Sequence, residues 1–310
     1  MQRVKPKGLS LGDTIGVIAP ASPALKEKTE KALALFQAYG YKVKLGNTVT
    51  AQYGYLSGSD QLRANDVNQM FADPGVKGII CLRGGYGTPR ILESIDYDLI
   101  RRNPKVFVGY SDITALHLAI QKHAGLVTFH GPMITELADD PDPLTWPTLL
   151  RHLTDSSPVG RYCEPFDMFQ GTLIPGIVEG PLVGGNLCLI TATLGTPYEI
   201  ETEGRILFLE DIGEAPYSID RMLTQLKLAG KLQAAKGIVL SDFSDADPKP
   251  GSNSLTLEQI FHDILKPLGI PCYYGLKAGH CEPNLTMPIG IGARLNATEG
   301  WIEFLEGGVR

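Results

Sequence analysis

Three β-branched and aromatic residues, Val106-Phe107-Val108, run through Gly109-Tyr110 into Ser111-Asp112. A helical pattern follows over 112–123, with apolar residues at 113, 116, 119 and 120. A serine on a sharp strand-to-helix turn presents its hydroxyl at the end of a sheet and its neighbouring amides to an anion. Nucleophilic serines often sit in this geometry. The G-x-S-x-G pattern is incomplete, because Gly109 is present but position 113 is isoleucine. Ser111 and Asp112 also offer capping oxygens, and capping alone is the commoner role for a serine in such a place.

The loop after the preceding strand, Arg83-Gly84-Gly85-Tyr86-Gly87-Thr88-Pro89, carries three glycines. Glycines let backbone approach a ligand closely and expose its amides. A nucleotide cradle fits poorly: G-x-G-x-x-G would need glycine where Arg90 stands, and no Gly-Lys-Ser/Thr follows. The first strand carries no dinucleotide fingerprint either. With Ser111 as nucleophile, an oxyanion hole shared with the Asp112 amide is the better use of this loop.

A nucleophilic serine needs a base, and the base an orienting acid. His117 lies about 9 Å further along the helix that starts at Ser111, too far to reach back, and His123 is further still. His152 and His262 sit in polar helical contexts that read as surface. His130, in Thr128-Phe129-His130-Gly131-Pro132, and His280, in Ala278-Gly279-His280-Cys281, both flank glycine at element ends, where functional side chains are displayed. Spacing leaves both open. For the acid, Arg205-Ile206-Leu207-Phe208-Leu209 runs straight into Glu210-Asp211-Ile212-Gly213-Glu214. Each of the three carboxylates could orient an imidazole, cap a helix or pair with Arg221.

These residues must be positioned by two halves of different pattern. In the first, strands at Thr14–Ala19, Lys42–Leu45, Gly78–Leu82 and Val106–Val108 alternate with helices at Lys26–Tyr39 and Ser59–Asp73 and a helix beginning at Pro89–Ser94. That alternation implies a parallel sheet covered on both faces, with ligands beyond the carboxyl ends of its strands. Proline and aspartate interrupt it after residue 136. The second half has short strands at Gly180–Val183, Arg205–Leu209, Gly237–Leu240, Ile289–Ala293 and Trp301–Phe304, with helices at Ser218–Leu228 and Thr256–Leu265. We therefore expect residues 1–155 as an α/β domain carrying Ser111, a linker at 156–177, and a mixed α/β domain over 178–310.

Composition excludes several functions. The 310 residues are 43% hydrophobic and 20% charged, as expected for a soluble globular chain long enough for two domains. A net charge of −6 gives no basic footprint for nucleic acid. No apolar run reaches the ~18 residues of a membrane span, and the stretch Ile15 to Ala19 is too short for a signal peptide. Five scattered cysteines, with no C-x-x-C, suggest neither a disulfide framework nor a zinc knuckle and fit a reducing cytoplasm.

Taken together, the segments resemble the LD-carboxypeptidase (muramoyl-tetrapeptide carboxypeptidase) family of serine peptidases. The resemblance rests on Ile18-Ala19-Pro20-Ala21-Ser22, Arg83-Gly84-Gly85-Tyr86-Gly87, Gly109-Tyr110-Ser111-Asp112 and His130-Gly131-Pro132-Met133. It continues through Gly184-Gly185-Asn186-Leu187, Leu209-Glu210-Asp211-Ile212-Gly213-Glu214, Asp220-Arg221-Met222-Leu223 and Gly279-His280. Each is weak alone; their order and joint presence are specific. The resemblance implies a flavodoxin-like, parallel-sheet N-terminal α/β domain and a mixed α/β C-terminal domain. It also implies a Ser111-Glu210-His280 triad completed across them, an oxyanion hole from the amides of Gly85 and Asp112, and a supporting role for His130 near the site.

The family's peptidoglycan members release terminal D-alanine from an L-centre in murein tetrapeptides during cytoplasmic recycling. A sister group cleaves microcin-type peptidyl nucleotides for self-immunity and stacks the nucleobase on an aromatic side chain of an inserted loop. Neither Trp146 nor Trp301 clearly supplies such a loop, which favours the wall peptide. Arg83 and Asn186 are candidates to bind the substrate's carboxylate. No metal or organic cofactor is needed, no nucleic-acid or membrane partner is expected, and a homodimer is compatible with this reading. The opposing expectation is a non-catalytic small-molecule binding protein with two lobes over a cleft.

Overall fold

The alternation in the first half closes into a doubly wound sheet. The computed structural model describes residues 2–162 and 171–310. Its first half runs β1 (Thr14–Ile18), α1 (Lys26–Ala38), β2 (Lys42–Leu45), α2 (Asp60–Ala72), β3 (Val76–Cys81), α3 (Tyr97–Arg102), β4 (Val106–Gly109), α4 (Thr114–Ala124) and β5 (Thr128–His130). These strands pair in parallel in the order β2-β1-β3-β4-β5, the flavodoxin-like order. The expected α/β class and flavodoxin-like sheet are thus present. Alternate residues of one strand feed opposite faces: Val106 and Val108 join one buried cluster and Phe107 the other. That is why these strands read as continuous apolar runs rather than as alternation.

The chain continues as α5 (Thr145–Thr154), β6 (Gly160–Tyr162), β7 (Gly171–Ile174), β8 (Ile177–Asn186), α6 (Leu187–Ala192), β9 (Ile206–Ile212), α7 (Pro216–Leu228) and α8 (Lys231–Ala234). It ends with β10 (Gly237–Ser244), α9 (Leu257–Ile264), β11 (Cys272–Tyr274), β12 (Met287–Ile289), β13 (Gly292–Asn296) and β14 (Trp301–Phe304). A second sheet has the order β6-β14-β13-β8-β9-β10-β11-β7. Its centre, β8 to β11, is parallel, and the strands on either side are antiparallel. This is the expected mixed α/β arrangement.

Several sequence expectations change. The strand expected at Ile289–Ala293 is two strands in two sheets: β12 pairs antiparallel with β5, and β13 pairs with β8. Gly290, at φ 101°, lets the chain break between them inside an apolar run that looks continuous. Residues Thr88–Ser94 form a 3-10 segment rather than an α-helix. The helix expected from 112 starts at Thr114, after a 3-10 turn over Ser111–Ile113. In the expected linker, 156–177, residues 163–170, with Cys163, lie outside the described residues, and β6 and β7 around them are edge strands of the second sheet. One hydrophobic cluster runs from Val108 and Phe129 of the first sheet to Phe208, Leu295 and Phe304 of the second, so the two sheets share a core. Both tryptophans are buried: Trp146 packs on Phe36 and Tyr39, and Arg161 lies over Trp301. Among the described residues, no helix is long and apolar enough to cross a membrane.

Candidate active site

The turn after β4 holds Ser111 at φ 62°, a left-handed conformation uncommon outside glycine. Its neighbours show why the chain can turn there. A Cβ on Gly109 would lie 2.9 Å from Ile113 Cγ2, so the isoleucine at 113 packs onto the glycine that the turn requires. A Cβ on Gly84 would lie 2.8 Å from Ser111 Cβ and 3.0 Å from its Oγ, so the glycine loop approaches the hydroxyl because it has no side chain. No side chain caps the 3-10 turn or α4. The capping role open to Ser111 is therefore not the one it plays, and its side chain borders a cleft instead.

The glycine loop is fastened to this turn. The Thr88 N–H donates to Asp112 Oδ2 at 2.8 Å, and the Thr88 hydroxyl donates to the Asp112 carbonyl. Buried Arg63 donates through Nη1 to the carbonyls of Pro20 and Gly87, at 2.7 and 2.8 Å. Gly85, at φ 117°, lines the cleft. The Asp112 amide nitrogen lies 3.5 Å from where a Gly84 Cβ would stand. The two backbone segments expected to bind an oxyanion thus adjoin one another beside Ser111. The buried side chain of Asp112 does the fastening.

The second half brings His280 to the same cleft. Its Nδ1–H donates to Glu210 Oε2 at 2.7 Å, and Glu210, near the end of β9, is fully buried. A Cβ on Gly279, at φ 99°, would come within 2.6 Å of Glu210 Oε2, so glycine is what lets the loop close on the carboxylate. Around it, the Ser244 hydroxyl donates to the His280 carbonyl and the Gly279 N–H to Asn284 Oδ1 at 2.8 Å. Burial pulls the His280 imidazole down, but the bond and charge of Glu210, with Glu136 and Asp211 behind it, hold it above its ordinary value. The Tyr110 ring stands against it, centroids 4.8 Å apart.

The open alternatives separate cleanly. Period-two alternation along β9 turns Asp211 away from Glu210, and its carboxylate accepts from Asn186 Nδ2 at 3.0 Å and the Cys188 N–H at 2.9 Å. Arg221 pairs with none of the three carboxylates; it contacts the Tyr217 ring and the Ser218 hydroxyl. His130 is fully buried behind Tyr110, ring centroids 5.6 Å apart, and neither ring nitrogen has a hydrogen-bond partner among the described residues. Burial holds its pKa well below the usual imidazole range. His117 is buried on the Gly109 carbonyl. His152, expected at the surface, is buried on the Tyr162 hydroxyl, while His262 is exposed as expected.

The cleft encloses about 320 Å³. Arg83 lines it, exposed, with Nη1 donating to the Pro23 carbonyl at 3.2 Å. Asn186, expected beside it as a substrate contact, does not line the cleft: it is buried as the N-cap of α6, bonded to Asp211 and to the Leu189 N–H. Sequence reasoning passed over Glu136, which also lines the cleft, and Asn284, which holds the His280 loop. The only signal for Glu136 is an acid three residues after Met133, whose N–H it accepts. Among the described residues, no group of three His, Cys, Asp or Glu side chains is placed to hold a metal ion.

Comparison with known proteins places the chain in a family. Residues 15–131 match the family model of the LD-carboxypeptidase N-terminal domain, and 179–295 that of its C-terminal domain. A probable murein peptide carboxypeptidase of Bacillus subtilis is 49% identical over 297 residues, 95% of this chain and 92% of that protein. The Escherichia coli microcin C7 self-immunity protein MccF is 30% identical, covering 91% of this chain and 90% of its own length. The wild-type apo structure of MccF superposes with a TM-score of 0.90 at 26% identity, over 99% of this chain and 100% of that one. The muramoyltetrapeptide carboxypeptidase of Oxalobacter formigenes superposes with a TM-score of 0.83 at 31% identity, over 94% and 97% of the two chains. With both halves matched in order and relatives aligned nearly end to end, this chain belongs to the LD-carboxypeptidase family.

Proposed function

We propose that this carboxypeptidase-family chain is a serine enzyme that releases terminal D-alanine from murein tetrapeptides, in peptidoglycan recycling in the cytoplasm. Residues 1–155 then supply the nucleophile and residues 178–310 the acid and base, joined through 156–177. The observation that carries the reading is the 2.7 Å bond from His280 Nδ1 to buried Glu210, in the cleft that Ser111 lines. A carboxylate can only accept, so it fixes the proton on Nδ1 and leaves Nε2 as the base.

His280 Nε2 takes the Ser111 proton as Oγ attacks the carbonyl before D-alanine. The amides of Gly85 and Asp112 hold the oxyanion. The imidazolium protonates the departing amine, the C–N bond breaks, and D-alanine leaves. Water, deprotonated by His280, then releases the acyl group from Ser111. Arg83 is the candidate cation for the terminal carboxylate.

The decisive experiment incubates purified protein with a tetrapeptide ending L-centre–D-alanine and with the D-alanyl-D-alanine pentapeptide. Release of D-alanine from the first alone is expected, because inverting the centre before the scissile carbonyl turns that carbonyl from two fixed amides. Equal cleavage of both refutes the specificity. The similarity to MccF supports a second reading, a peptidyl-nucleotide substrate. Both tryptophans being packed in the core argues against it. Cleavage of neither wall peptide, with labelling of Ser111 by a fluorophosphonate, would put that reading first. A folded protein that never labels would favour a binding protein.

A further inference from the structure

Two carboxyls line the cleft outside the Glu210–His280 pair. Asp139 is paired with Lys28 at the mouth. Glu136 is committed differently. Its Oε1 accepts from the Met133 N–H at 2.7 Å and its Oε2 from Asn284 Nδ2 at 3.2 Å. Met133 follows β5, which pairs with the strand β4 that leads to the serine turn, and Asn284 holds the His280 loop through its bond from the Gly279 N–H. Tyr110, immediately before Ser111, lines the same cleft and sets its ring against His280. A single carboxyl therefore joins the segment after β5 to the loop that carries the histidine.

We propose that Glu136 is a positioning residue of the acyl-transfer site, which ties the histidine loop to the segment after β5 and stabilises the charged imidazole of His280 as the proton moves. The inference rests on the triad reading above. The groups facing His280 are Glu210 and Asp211 from β9, Glu136 from the segment after β5, His130 from β5 and the Tyr110 ring from the end of β4. Those facing Glu136 are His280 and Tyr110. Burial lifts the Glu136 carboxyl to about 7, against the pull of its bonds from Met133 and Asn284, the His280 charge and Tyr110. Its charge is thus present on the alkaline side of about 7 and lost as the pH falls through it. A negative charge here raises His280, so removing it must lower His280 and move the acid limb of activity to lower pH.

Glu136→Gln keeps the shape, removes the charge and sets an NH2 against one of the donors. We expect kcat to fall about 10-fold with KM within about threefold, and the acid limb of kcat/KM to move down by roughly 0.5–1 pH unit. The His280 imidazole titration, followed by NMR in a Ser111→Ala background, should move in the same direction. Loss of kcat with both titrations unmoved would mean a purely structural bond and overturn the proposal, as would wild-type kinetics or a rise in KM alone. Glu136→Asp keeps the charge but withdraws it from Asn284. It should lose about 10-fold in kcat with the acid limb in place, and full activity there would overturn the proposal even if the glutamine variant failed to fold. Ser111→Ala alone separates the two readings. Retained activity there defeats the triad, whereas an inactive Ser111→Ala beside an unaffected Glu136→Gln defeats only the role of Glu136.

Discussion

Replacing Glu210 by glutamine isolates one charge at nearly constant shape. Glu210 is fully buried, its Oε2 lies 2.7 Å from His280 Nδ1, and its Oε1 has no hydrogen-bond partner. The glutamine NH2, facing Nδ1, would stabilise the opposite tautomer, in which Nε2 carries the hydrogen and cannot take a proton from Ser111. With the amide oxygen facing Nδ1 instead, the imidazolium formed during attack would lose its buried counter-charge. Either orientation should cost about 10⁴ in kcat, which is about 5.4 kcal/mol of barrier. The folded state gives the opposite expectation. Glutamine removes a buried charge with an unsatisfied oxygen, so the variant should melt at or above the wild-type temperature. The assay is D-alanine release at saturating tetrapeptide, with calorimetric melting of the same preparations. A variant within tenfold of wild-type kcat and equally stable would refute the assignment of Glu210 as the group that orients the base.

The other expectations follow from the same geometry. Ser111→Ala should lower turnover by roughly 10⁴–10⁶ and abolish fluorophosphonate labelling while circular dichroism stays unchanged. Because His280 must be neutral to accept the proton and its pKa is held above the ordinary imidazole value, kcat/KM should rise with pH through an apparent pKa above that of a free histidine; an acid limb below it contradicts the Glu210 and Glu136 contributions. Gly84→Ala puts a methyl 2.8 Å from Ser111 Cβ, so activity should fall about 10²-fold, read as kcat/KM. EDTA should leave activity unchanged, and inactivation reversed by added zinc would sink the serine mechanism.

How much of this was legible in the chain depends on distance. Four strands of the first sheet were readable because β1, β3 and β4 are buried apolar runs closed by turn residues and β2 follows a helix that ends at glycine, whereas the three-residue strands β5 and β12 gave too short a pattern. Ser111 was readable because its strand, turn and helix are consecutive. The capping alternative fell only on the backbone, where φ 62° and an uncapped 3-10 turn replace the expected N-cap. The choice between His130 and His280, and among Glu210, Asp211 and Glu214, could not come from local pattern. Each depends on which way a strand or loop faces a partner about 70 residues away, as in the pair His280 and Glu210. The resemblance supplied that choice; the Nδ1–Oε2 bond joins two of the residues it names, and their roles belong to the proposal. His152 was misread because a histidine among polar helical neighbours looks exposed, whereas Tyr162 and Phe304 pack over it from strands that sequence proximity does not announce. Glu136 carried no motif because its bond to Asn284 and its place beside His280 join residues far apart along the chain.

The route of the histidine loop explains how two halves can share one reaction centre. The loop leaves β11, which pairs with β10 in the second sheet, and enters β12, which pairs with β5 in the first. β10 lies beside β9, which carries Glu210 near its end, and β5 lies beside β4, which leads to the serine turn. In the proposed triad, His280 is therefore tied by backbone registers to the element carrying Glu210 and to the element leading to Ser111. Met287 stands opposite His130 in that pairing, so a slip of β12 along β5 would carry the loop along the cleft by about 3.4 Å per residue. Misplacement by about 1 Å already costs roughly 10²-fold in rate. A strand of three residues donated to the far sheet thus serves both the shared core, where Met287 and Ile289 are buried, and the placing of His280 in the proposed mechanism, and its break from β13 at Gly290 is the local feature that makes the donation feasible.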